Sequence, residues 1–101
     1  MLRRTYYRIL DDDVPEDAVA VSIGGATLDE MTVSIVWPSK GLLFADEEAA
    51  ADVWSALQTA DQLRLAHGFE RVVIWIENAD LWNPSWGMLM EISPEPAWRL
   101  V

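Results

Sequence analysis

Cysteine is absent from this 101-residue chain, which excludes a disulfide framework, a thiolate zinc site and a thiol nucleophile. Histidine occurs once, at His67, so a metal site built on two or more imidazoles is excluded as well. Lysine also occurs once, and seven basic residues face 17 acidic ones, for a net charge of −10. No apolar run approaches the ~20 residues that cross a bilayer. The basic start Met1-Leu2-Arg3-Arg4-Thr5-Tyr6-Tyr7-Arg8 has no signal-peptide apolar stretch behind it. Neither a phosphate-cradling Gly-Lys loop nor a Gly-x-Ser-x-Gly elbow is present. The chain is therefore expected to be cytoplasmic, non-catalytic, and without a metal or other cofactor.

What basic charge there is lies at the front. Residues 1–10 carry Arg3, Arg4 and Arg8 and no acid. The rest hold four bases (Lys40, Arg64, Arg71, Arg99) against all 17 acids, a net of −13. A field of that sign opposes nucleic-acid phosphates and anionic lipid and speeds encounter with a basic protein surface. Acids crowd most densely at Asp11, Asp12, Asp13, Glu16 and Asp17, five carboxylates in seven positions. This segment lacks the alternate-position ligands and turn glycine of a calcium loop. It reads either as a solvated turn or as a phosphate-like array facing a basic partner.

Hydrophobic residues make up 51% of the chain, enough for one folded domain over residues 1–101. β-prone residues at 2–10 suggest a first strand, and alternation at 18–23 (Val19, Val21, Ile23) a second. Gly24-Gly25 then supplies the positive φ of a tight hairpin. Over 31–37, Met31, Val33, Ile35 and Trp37 share one face while Thr32, Ser34 and Val36 share the other. A helix is expected over 46–67, with Asp46 as N-cap, Gly68 at C′, and an apolar arc of Ala49, Ala50, Val53, Trp54, Ala56, Leu57, Ala60 and Leu63. His67 and Arg64 fall in its last turns, His67 near the final carbonyls and Arg64 snorkelling or pairing with a carboxylate. Strand 69–77 is apolar on both faces, which fits a central strand covered on each side or one exposing a sticky surface. A tryptophan-rich loop (78–87) and a short strand (88–92) follow. The expected fold is α+β, in the order β-β-β-α-β-β: a single, mostly antiparallel sheet of four to five strands with one helix on a face.

Six tryptophans in 101 residues are the most distinctive feature. Trp37, Trp54 and Trp75 lie in regular elements and read as core. Trp82 and Trp86, in Asp80-Leu81-Trp82-Asn83-Pro84-Ser85-Trp86-Gly87, either fold back to cap a small core or form an exposed anchor, as does Trp98 after its two prolines. The expected function is a protein–protein interaction module: a small acidic inhibitor, antitoxin, immunity or phage anti-defence protein that blocks the basic, nucleic-acid-binding surface of a partner. Its acidic surface would be Asp11, Asp12, Asp13, Glu16 and Asp17, and its aromatic anchor Trp82, Trp86 or Trp98. The alternatives are a small-ligand or carbohydrate module using the loop tryptophans, and an enzyme subunit completed by oligomerisation.

Overall fold

Alternating apolar residues need a sheet with one buried face, and the computed structural model, which describes residues 4–10 and 14–91, supplies it. Six strands form one sheet: β1 (Thr5–Ile9), β2 (Ala18–Gly24), β3 (Thr32–Trp37), β4 (Asp46–Ala50), β5 (Arg71–Ile76) and β6 (Met88–Glu91), in spatial order β4-β3-β2-β5-β1-β6. The α+β class matches expectation, as does a single α-helix among the described residues, α1 (Val53–His67). The strand count, six rather than four to five, and the pairing do not. β2–β5, β5–β1 and β1–β6 are parallel, and only β2–β3 and β3–β4 are antiparallel. Alternation fixes which face a side chain occupies but carries no strand direction, so the mixed sheet was not visible in the pattern.

A second correction concerns residues 46–50. In Asp46-Glu47-Glu48-Ala49-Ala50 the two glutamates and two alanines are good helix formers, yet the segment pairs antiparallel with β3 as an edge strand. Local propensity yields here to the open backbone edge of β3. The helix starts later, where Asp52 is the true N-cap, its carboxylate accepting from Ser55 N at 2.7 Å. Its end is as expected, with Gly68 left-handed at φ 75°. Gly24-Gly25 makes no two-residue hairpin. Only Gly25 has positive φ, and the connection to β3 contains a short 3-10 turn at Leu28–Glu30.

The core lies between α1 and one face of the sheet. Val19, Val21 and Ile23 of β2, Ile35 of β3, and Val72, Ile74 and Ile76 of β5 meet Val53, Ala56, Leu57 and Ala60 of α1. Alanines on the helix allow close approach over β2 and β3. Over β1 the 77–87 crossover from β5 to β6 completes the cover. Trp82 packs edge-on to Tyr6, with ring centroids 6.1 Å apart, and to Trp86, 5.1 Å apart. Its indole Nε1 donates to the Gly87 carbonyl at 3.0 Å. Gly87 permits this closure: its φ is +135°, and a Cβ there would stand 2.6 Å from the Arg4 carbonyl. Among the described residues, no helix is long and apolar enough to cross a membrane.

Candidate functional site

The second face of the sheet has no helix across it among the described residues. Register places Thr5, Tyr7 and Ile9 of β1, Met88 and Met90 of β6, Val73 and Trp75 of β5, Ala18, Ala20 and Ser22 of β2, and Ser34 and Val36 of β3 on this side. Ile9, Ala18, Ala20 and Val73 bury one another, with Val14, Val36 and Trp75 packed around them. Toward the β6 edge the cover thins. Tyr7 is 44% exposed, Met90 44% and Met88 53%. Among the described residues, then, this apolar face is covered at its middle and left open toward β6.

A trough runs along this face over β2. Its floor is Ala20 and Ser22, whose small side chains leave a depression between flanking rows. Trp75 and Ile9 stand on the β5–β1 side, and Val36 and Glu47 on the β3–β4 side. The cavity measures about 320 Å³, the space of roughly ten waters. Glu47 is held over it by Ser34, whose hydroxyl donates to Glu47 Oε2 at 3.2 Å. No cation pairs with Glu47 among the described residues.

The neighbouring edge is acidic. Asp46, Glu47 and Glu48 of β4 are all exposed, with Glu47 alone of the three on the uncovered face, and Asp29 and Glu30 just before β3 are exposed too. The β3–β4 turn adds Leu42 and Phe44, 99% and 86% exposed. Trp37 pins that turn by donating from Nε1 to the Phe44 carbonyl at 3.0 Å. The described bases engage elsewhere. Arg71 pairs with Asp17 at 3.2 Å, and Arg4 and Arg64 both reach Asp61, at 2.9 and 3.0 Å. Lys40 lies over the Phe69 ring.

The expected site residues are dispersed. Asp11, Asp12, Asp13 and Trp98 lie outside the described residues. Glu16 is exposed, whereas Asp17 is already neutralised by Arg71. Burial opposes ionisation of Asp17, but the hydrogen bonds and charge of Arg71 prevail and hold its carboxyl below the usual range. Trp82 and Trp86 are half-buried and cap the core beside Tyr6, so the loop folds back. Trp54, expected in the core, is 54% exposed instead, and Trp75 stands half-buried on the uncovered face. Val36, Glu47, Met88 and Met90 were not singled out from sequence. The signal for them was the two-sided apolarity of strand 69–77, with Thr32-Ser34-Val36 on the far side of β3.

A second depression, about 800 Å³, lies on the helix side between α1 and the crossover. Trp54 and Trp86 wall it, Gln58 and Gln62 project into it, and the Arg4–Asp61 pair lies along its base. Burial alone would raise the Asp61 pKa, but Arg4 and Arg64 together hold it below the ordinary carboxylate range. Hydrogen bonding and attraction to Asp61 raise that of Arg4 in turn. Tyr6 is pushed up by burial.

Comparison with family models, with curated proteins and with solved structures finds no match.

Proposed function

We propose that the chain is a non-catalytic protein-binding module whose uncovered sheet face, flanked by the acidic β4 edge, occupies a basic surface of a partner protein. A small acidic inhibitor or antitoxin of a nucleic-acid-binding protein fits this reading. The observation that carries it is the open apolar face with its acidic margin. Burial of Tyr7, Trp75, Val36, Met88 and Met90 would supply residence time, while Asp46, Glu47 and Glu48 speed encounter and reject acidic competitors. Asp11, Asp12, Asp13, Glu16 and Asp17 would extend the field, less the charge that Arg71 cancels. The same field disfavours duplex DNA or RNA as a direct ligand.

The test is capture from a lysate of the source cell by immobilised wild type and by a Trp75→Ser variant, with mass spectrometry and a salt series. Support is a retained protein with a basic surface, weakened by salt and lost in the variant. Equal retention by both proteins would sink the reading. A second reading, a saccharide-type ligand, draws on the Trp54/Trp86 groove, because aromatic walls with amide and carboxylate groups suit stacked, hydroxylated rings. A glycan array bound by wild type and not by Trp54→Ala would favour it.

A further inference from the structure

We infer that the trough over β2 is a receptor for one basic side chain, an arginine of the partner, and so is the element that sets partner specificity. This rests on the interaction-module reading and makes its partner chemistry definite. Three features converge in one depression. Ala20 and Ser22 make room above the central strand, and the β3 and β5 backbones flanking it stand about 10 Å apart. Trp75 offers an aromatic surface on one side, with Ile9 and Val36 lining the path of an aliphatic stem. Glu47 waits at the rim with its carboxylate oriented by Ser34 and without a cation among the described residues.

A lone apolar side chain would satisfy the trough but leave Glu47 unanswered. An acidic one would meet Glu47 and the rest of the β4 edge. Arginine answers all three features. Its methylene stem fills the apolar path, its guanidinium lies against the indole, and its donors reach Glu47. Lysine fits less well, since its compact ammonium is more strongly hydrated and offers no planar face. A second copy of the chain is disfavoured as occupant, because two faces each bordered by Glu47 on molecules of net charge −10 would repel.

The experiment is a two-dimensional NMR titration of the labelled full chain with N-acetyl-arginine amide, against its uncharged isostere N-acetyl-citrulline amide and N-acetyl-lysine amide. The expected result is saturable shift changes centred on the Trp75 indole N–H and the Ala20, Val36 and Glu47 amides, with a dissociation constant on the order of millimolar. The lysine compound should bind about three- to fivefold more weakly, and Trp75→Leu should cost about the same factor for arginine. Glu47→Gln should weaken arginine binding about threefold at low salt and narrow the preference over citrulline by the same factor. Equal binding of citrulline, absence of saturable shifts, or shifts confined to the Trp54/Trp86 groove would overturn the proposal. So would a full-length Arg99→Gln variant whose Trp75 signals move without any added compound, since the chain's own tail would then be the occupant. The two levels separate cleanly. If the captured partner is lost from Trp75→Ser but not displaced by the arginine compound, the interaction face stands and the arginine receptor falls.

Discussion

The two faces of this sheet are made by the same strands and differ in what lies across them. On the helix side, Ile74, Val21, Ile23 and Ile35 are fully enclosed by α1, and the Trp82 crossover closes the remaining end. On the other side, Val73 is equally enclosed by its neighbours, yet Tyr7, Trp75, Met88 and Met90 keep contact with water. The difference shows that apolar content by itself does not tell a covered face from an open one. The first face commits its apolar area to folding stability, and the second leaves some of it exposed among the described residues, which is the area the proposed partner would bury.

Substitutions on the two faces should differ in cost. Ile74→Ala, in the middle of the covered face, should lose about 3–4 kcal/mol in urea denaturation, whereas Val36→Ser on the open face should lose under about 1 kcal/mol. Comparable losses would mean that the second face is covered as thoroughly as the first. Gly87→Ala should cost about 2–3 kcal/mol, because it combines an unfavourable positive φ with a collision against the Arg4 carbonyl. A thermal melt within a degree of wild type would show that the crossover does not close the helix side in this way.

Next in size comes the helix boundary. Asp52→Ala should destabilise by about 1 kcal/mol, and Asp46→Ala by almost nothing. The reverse order would restore the longer helix. The smallest effect concerns Asp61, whose folded-state pKa lies below its ordinary 3.8. A lowered carboxylate contributes stability that is complete above the unfolded value and is lost as pH falls through the folded one. Asp61→Asn should therefore cost under about 1 kcal/mol near neutrality, given the exposure of Arg4, and the gap to wild type should close as the pH falls below the Asp61 folded pKa. A gap that widened toward acid would give Asp61 the opposite sign.

Much of this fold could be read from the amino-acid sequence, for reasons that also explain what could not. The Met31–Trp37 alternation assigned each residue to its observed face, and Gly68 ended the helix where a left-handed residue was required. Asp46–Ala50 misled because a charged edge strand and an exposed helical turn favour the same residues, and only the nearby β3 edge decides between them. Parallel pairing of β1 with β5 and β6 joins segments more than 60 residues apart, and no local pattern records it. The site was half visible. Val73 and Trp75 announced a strand apolar on both sides, but the trough needs Ala20, Val36 and Glu47 from three other strands, and their meeting depends on strand order.

The most direct test of the central claim is methyl cross-saturation from the captured partner onto the methyl-labelled chain. Attenuation is expected at Ala20, Val36, Met88 and Met90, with Leu57, Leu63 and Leu65 on the helix side unaffected. Attenuation confined to the α1 leucines, with the sheet-face methyls untouched, would contradict it and move the interface to the opposite side of the molecule.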